Sequence, residues 1–205
     1  MARTVVAGLA VVGALVATGC TSTPQETDPA SQEVEAGTEQ TQGPVVADPV
    51  EWGTQVAVPA GTGQVELTPV GLRYVTTEEI TSPTEHDHPS REVFAVVRYE
   101  AAVQGEEAAS ISQEWGWRAG GQEHGRGDGG HAGTAPWMGA VPEVYADTPL
   151  LPGEEPTVGY ATFDLPGRGG ELTFTDLDGA MVRWTAPEED TGELVELEEW
   201  LTSQQ

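Results

Sequence analysis

The sequence predicts an all-β fold, a two-sheet antiparallel sandwich, on three observations. From Trp52 onwards, apolar residues recur in short alternating runs. Gly, Pro and Asp break these runs at intervals suited to tight turns. One run, "REVFAVVRYEAAV", alternates over more than ten residues, the length of a strand that crosses a whole sheet. About seven such runs at this spacing fit a sandwich of two sheets.

The segment ahead of Trp52 has a different character. Arg3 supplies a positive start, and "VVAGLAVVGALVA" is apolar but too short to cross a bilayer core of about 30 Å. It ends at Ala17-Thr18-Gly19-Cys20, which resembles the lipobox of bacterial lipoproteins. That resemblance implies cleavage before Cys20, lipidation of its thiol (diacylglycerol, with palmitate-type acylation), and attachment to the outer side of the cell membrane. Cys20 is the single cysteine, so no disulfide can form within the chain and the fold must rest on its core. The following "TSTPQETDPASQEVEAGTEQTQGPVVAD" has few large apolar residues and reads as a disordered acidic tether.

The strands follow in order. "TQVAVPAG" is a short first strand. In "QVELTPVGLRYV", Val65 and Leu67 hold one phase while Val70, Leu72 and Tyr74 hold the other. The change of phase at Thr68-Pro69 predicts a bulge, since proline cannot donate to a ladder. In "REVFAVVRYEAAV", Val93, Ala95, Val97, Tyr99 and Ala101 share a face. Phe94 and Val96 make the opposite face apolar at its start, before Arg98 and Glu100 return it to solvent. "SISQEWGWRAG" places Ile111, Trp115 and Trp117 together, and residues 120–135 read as a long glycine-rich loop. "PWMGAVPEVYAD" is irregular. "LLPGEEPTVGYATFDLPG" is a turn and then a strand with Ala161, Phe163 and Leu165 inward, and "ELTFTDLDGAMVRWT" is a hairpin turning at "DLDG".

This order, and above all the run from Leu151-Pro152-Gly153-Glu154 through Gly159 to Phe163, Leu165 and Pro166, resembles the immunoglobulin-like domain of many secreted actinobacterial and firmicute lipoproteins. These are of the telokin-like, immunoprotective-extracellular-protein type. The resemblance spans about Trp52 to Thr185 and implies an immunoglobulin-like β-sandwich acting as a binding or interaction module, with no catalytic residues to carry over. The chain departs from that pattern in having "AAVQGEEAAS" after the central strand. The tail "PEEDTGELVELEEWLTSQQ" reads as a short helix capped by Asp190, with Glu193 three residues on and Leu194, Leu197, Trp200 and Leu201 on one face. The organisation is therefore a lipoprotein signal peptide (1–19), a lipidated acidic linker (20–50), the sandwich (51–186) and an acidic tail with a short helix (187–205).

Charge narrows the partners. The chain has no lysine, and 34 acidic residues against 8 arginines give a formal charge of −26. Such a surface repels phosphate backbones, so nucleic acid is excluded as a partner, and it draws basic ligands and divalent cations. The partners expected are the membrane, through the anchor, and an envelope protein or cell-wall component.

Only four histidines occur, in two segments: His86 and His88 flank Asp87 in "TEHDHPSRE", and His124 and His131 lie in "GGQEHGRGDGGHAG". Consecutive antiparallel strands bring both segments to one pole of the sandwich. Imidazoles there suit zinc or copper, with Glu85, Asp87, Glu123 and Asp128 as carboxylate ligands or acceptors, and binding that fades in mild acid. The competing account is polar loop residues in water, with no cofactor at all. Trp115, Trp117 and Trp137 are candidates for an aromatic shelf against a sugar or peptide, although alternation favours the core for most of them. Arg126-Gly127-Asp128 is a tripeptide expected by chance in such a segment. Asp176-x-Asp178-Gly179 begins like a calcium loop but has Pro187 at the twelfth position, so a hairpin turn is preferred.

Enzymatic chemistry finds little footing. There is no lysine, no thiol beyond Cys20, no Gly-x-Ser-x-Gly elbow and no His-Glu-x-x-His helix. The sequence reading is a lipid-anchored extracytoplasmic non-catalytic binding module. A metal-binding lipoprotein with a four-histidine pole is the first alternative and an envelope hydrolase the second.

Overall fold

The computed structural model describes residues 48–60, 63–111, 114–126, 130–142, 149–176 and 178–204. The leader, Cys20 and nearly all of the tether lie outside them. The strands are β1 (Val50–Glu51), β2 (Val56–Ala60), β3 (Gly63–Val75), β4 (Val93–Gln104), β5 (Ala109–Ser110), β6 (Glu114–Ala119), β7 (Gln122–Gly125), β8 (Pro149–Leu150), β9 (Thr157–Leu165), β10 (Gly170–Thr175) and β11 (Met181–Ala186). Among the described residues one α-helix, α1 (Val195–Ser203), follows. One sheet has the order β1-β11-β10-β6-β7, the other β2-β3-β4-β9, and β5 and β8 form a small separate ladder. The protein is all-β with a short C-terminal helix.

The two large sheets face each other across an apolar core. Val65, Leu67, Leu72, Tyr74, Ala95, Val97, Tyr99, Phe163 and Leu165 come from one sheet, and Trp115, Trp117, Leu172, Phe174 and Trp184 from the other. Rings cross the gap: Tyr99 and Trp115 lie 4.7 Å apart between centroids, and Trp117 and Phe163 5.4 Å. The phase change in β3 is a bulge at Val70, because the β3–β4 register moves from Pro69↔Tyr99 to Gly71↔Arg98. Without that extra residue, Leu72 and Tyr74 would face outward.

Three expectations are corrected. The sandwich is not wholly antiparallel, since β1 runs parallel to β11, pairing Val50 with Trp184. That short strand shields the β11 edge before the chain crosses through Gly53 (φ +81°) to β2 in the other sheet, and the Trp184 indole donates to the Thr54 carbonyl at the corner. The glycine-rich stretch is not all loop: Gly120 and Gly121, at φ +59° and +78°, make a two-residue turn that returns the chain as β7 against β6. Asp190 does not cap the helix, which starts after Leu194. Its Oδ1 accepts the Tyr74 backbone N–H at 3.0 Å and its Oδ2 pairs with Arg73, while Thr191 exchanges both backbone hydrogen bonds with Leu72. The segment is held on the open edge of β3 beyond the end of β2, and it turns into α1 only after Gly192 (φ +71°).

A second apolar cluster lies on the far face of the four-stranded sheet. Val75, Phe94, Val96 and Tyr160 are covered there by Ala135, Trp137 and Val141 and by Leu194, Leu197 and Leu201 of the tail. The Trp137 ring stands edge-on to Phe94 at 5.4 Å and to Trp200 at 5.8 Å, and its indole N–H donates to the Thr162 hydroxyl at 3.2 Å. The Tyr160 hydroxyl donates to Glu196 of α1 at 2.5 Å. Burial, then that bond and the Glu196 charge, push the tyrosine pKa up; the same bond holds the Glu196 carboxyl below its ordinary value.

Two outcomes follow from this cover. Leu197 is 0% exposed, so Leu197→Ala is expected to cost about 2–5 kcal/mol in urea unfolding. Gly192→Ala is expected to cost at least as much as a cap loss, about 1–2 kcal/mol or more: its φ is +71° and a Cβ would lie 2.2 Å from the Val70 carbonyl oxygen. A midpoint unchanged in either variant would show that α1 does not hold the sheet.

Candidate functional site

The two histidine-bearing segments meet around one buried carboxylate. Asp164, near the end of β9, is 2% exposed and lies on the outer face of its sheet opposite Phe94. Its Oδ2 accepts the Ser90 backbone N–H (2.8 Å), the Ser90 hydroxyl (2.7 Å) and the His131 backbone N–H (2.7 Å). Its Oδ1 accepts the Arg91 backbone N–H at 3.0 Å, and the Arg91 guanidinium donates to the Asp164 carbonyl at 2.7 Å. Burial alone would raise this carboxyl. The donors from Ser90, His131 and Arg91 outweigh it and hold the pKa below its ordinary value. Gly130 must be glycine here, because a Cβ would stand 2.6 Å from the Asp164 Cβ.

Drawn together in this way, the segments touch. His86 Nδ1 lies 3.3 Å from His131 Nε2, with ring centroids 4.9 Å apart and planes at 79°. His131 Nδ1 is 2.9 Å from the His88 carbonyl, an acceptor only, so this nitrogen carries the proton and Nε2 presents a lone pair. The Thr134 hydroxyl is 2.8 Å from the His86 carbonyl and 3.0 Å from that of His131, its one proton tying the two backbones together. His86 stands on a 3₁₀ turn, Glu85–Asp87, and is exposed; His131 is half-buried.

The other members of the expected cluster point elsewhere. His88 Nε2 donates to the Ser82 carbonyl at 2.8 Å, leaving Nδ1 buried without a protein partner. Asp87 accepts from the Ser82 hydroxyl and so braces its own turn. His124 is on strand β7, not in a loop; it pairs across from Trp117 and is 3% exposed, with Nε2 buried and unpartnered. Among the described residues, no three His, Cys, Asp or Glu side chains converge as a metal-holding group. His86, His88, His124, His131 and Asp87 are thus not one five-ligand centre in this structure: two imidazoles meet, and the rest serve the loops and the core. Asp128 lies outside the described residues, as do Gly127 and Cys20.

The aromatic shelf is also corrected. Trp115 and Trp117 are buried between the sheets and Trp137 beneath the outer cover, so none offers a face to a sugar or peptide. Asp176 forms a turn: its Oδ1 accepts the backbone N–H groups of Asp178 and Ala180 at 2.9 and 2.8 Å, which closes the β10–β11 hairpin. The residue missed from the sequence is Asp164. Its signal was a lone acid in the otherwise uncharged "ATFDL", on a strand whose two faces are both buried. A hollow of about 690 Å³ runs along α1, lined by Glu193, Leu194, Val195, Glu198 and Glu199. Thr202 and Ser203 also line it, and it is an open surface along one helix and the turn before it.

Comparison with protein-family models, with curated proteins and with solved structures finds no match for this chain.

Asp164→Asn is expected to destabilise the protein by about 2 kcal/mol at pH 7, because one oxygen that takes three donors loses its charge. The sign with pH follows from a depressed native pKa: the carboxylate's contribution is complete above the unfolded value of about 3.9 and is lost as pH falls through the native one. Urea midpoints of wild type and variant should therefore differ by a steady amount from pH 7 down to about pH 4 and converge only in stronger acid, as the native carboxyl takes up its proton. A gap that persists after the native carboxyl has protonated would mean the carboxylate charge does not hold the loops.

Proposed function

We propose that this chain is a lipid-anchored, extracytoplasmic binding module of the cell envelope, which acts by presenting a rigid loop surface and not by catalysis. The observation that carries the reading is the Asp164 junction. Loops that join strands are commonly free to vary; here two of them, distant in sequence, are fastened to one carboxylate and to each other through Thr134. Preorganised loops on a rigid scaffold bind with less loss of conformational freedom than mobile ones.

The anchor is part of the same reading. It rests on the apolar run from Val5 to Ala17, the small residues Thr18 and Gly19, and Cys20 as the acylated residue. The resemblance to immunoglobulin-like lipoprotein domains supports a binding role on the same terms. The formal net charge of −26 favours a partner that is itself basic or carries cations.

Mass spectrometry of the native protein tests the anchor: the expected species begins at Cys20 and carries a diacylglyceryl thioether. Cys20→Ser should move the protein from the detergent phase to the aqueous phase. An unmodified thiol in the mature chain would overturn the anchored reading. For the binding role, a partner crosslinked in envelope preparations should be lost on Asp164→Asn/Thr134→Val, which takes away the carboxylate charge and the hydroxyl that hold the two loops. Retention of the partner would place the contact elsewhere on the body.

A further inference from the structure

We infer that His86 and His131 form a two-imidazole site for a divalent transition metal ion, copper(II) or zinc, with its remaining coordination positions open to water or to a partner's donor. The inference rests on the binding-module reading and deepens it by naming a ligand class. Three observations carry it. The first is the spacing: His86 Nδ1 and His131 Nε2 are 3.3 Å apart. The two rings share a hydrogen bond across that gap, and two nitrogens each about 2.0–2.1 Å from one ion at a tetrahedral angle also lie about 3.3–3.4 Å apart, so an ion can take the place of the shared proton, with the His86 proton carried on Nε2 instead. The second is the tautomer. His131 donates Nδ1–H to the His88 carbonyl at 2.9 Å, the outer hydrogen bond that orients a metal-binding imidazole and leaves Nε2 as the ligand. The third is support: the His131 N–H on Asp164 and the Thr134 hydroxyl on both histidine carbonyls fix the ring-bearing backbones before any ion arrives.

The chemistry selects the ion class. Neutral imidazoles suit copper and zinc and are poor ligands for calcium or magnesium, which require oxygen. His86 is exposed, so an ion reaches the pair directly from solvent. Two protein ligands leave the coordination sphere incomplete, as a contact made through the ion requires. The pair lies outside both apolar clusters.

The experiment is calorimetry of copper(II) and of zinc into the untagged full chain in detergent at pH 7.5, with millimolar calcium present to occupy the acidic surface. The expected result is one equivalent bound, with His86→Ala and His131→Ala each weakening it at least tenfold, while the exposed-turn variant Glu154→Gln leaves it unchanged. Copper(II) electron paramagnetic resonance should show nitrogen coupling in wild type that is reduced in each histidine variant. His86 is on the surface, so its variant should keep the wild-type circular dichroism and melting temperature, and a loss of binding there is a loss of a ligand. No uptake, uptake abolished by calcium, or uptake indifferent to both substitutions would overturn the site. None of these results bears on Cys20, whose acylation is read by mass.

Discussion

Val75, Phe94 and Val96 sit on the face of the four-stranded sheet that looks away from its partner sheet, and an apolar face of that kind has to be covered. A sandwich whose outer surfaces were both polar would need only its strands and turns. Here residues 130–142 run past the β9 side, where Tyr160 N–H donates to the Pro142 carbonyl and His131 N–H to Asp164, and lay Trp137 on Phe94. The tail completes the cover with Leu194, Leu197 and Leu201. Burying such side chains is worth about 1.5–3 kcal/mol each, which is enough to dictate the path of both segments.

That path makes the site. Because Trp137 must reach Phe94, residues 130–134 pass directly over the end of β9, where Asp164 sits in the same outward phase as Tyr160 and Thr162. A carboxylate at such a position has to be satisfied. It takes the backbone of the incoming segment at His131 and of the outgoing loop at Ser90 and Arg91. The contact between His86 and His131 is a by-product of covering the sheet, and its rigidity comes from one buried charge with four donors.

The tail is directed by a similar scarcity. Against 34 acidic residues the chain has 8 arginines, and Arg73 alone meets Glu79, Asp190 and Glu198. Single ion pairs at such partly exposed positions contribute little. Their joint effect is geometric: Asp190 and Thr191 lie along the β3 edge, Gly192 turns against Val70 at the bulge, and α1 begins where its leucines meet the sheet. Arg168 over the Tyr74 ring at 5.0 Å, and the Tyr74 hydroxyl between Gly169 N–H and the Pro187 carbonyl, secure the same corner.

Period-two alternation, with Gly and Pro as punctuation, determined the sheets, the inward residues of β4 and β9, the β10–β11 hairpin and the bulge beside Pro69, because those depend on neighbours along the chain. The same pattern recorded an apolar outer face at Phe94 and Val96 and an apolar stripe in the tail without saying that one covers the other. Strand parity brought His86 and His131 to a common end. It missed β7, since four residues with one apolar-facing histidine carry too little alternation, and so it counted His124 with the loops. What tertiary structure alone decided was which side chains are shared between distant segments. A lone Asp in "ATFDL" reads as an interruption until three loop N–H groups arrive on it, and Asp190 reads as a helix cap until Arg73 and the Tyr74 N–H claim it. Hydrogen-bond partners of a buried charge are set by packing over long sequence separations, and no local period encodes them.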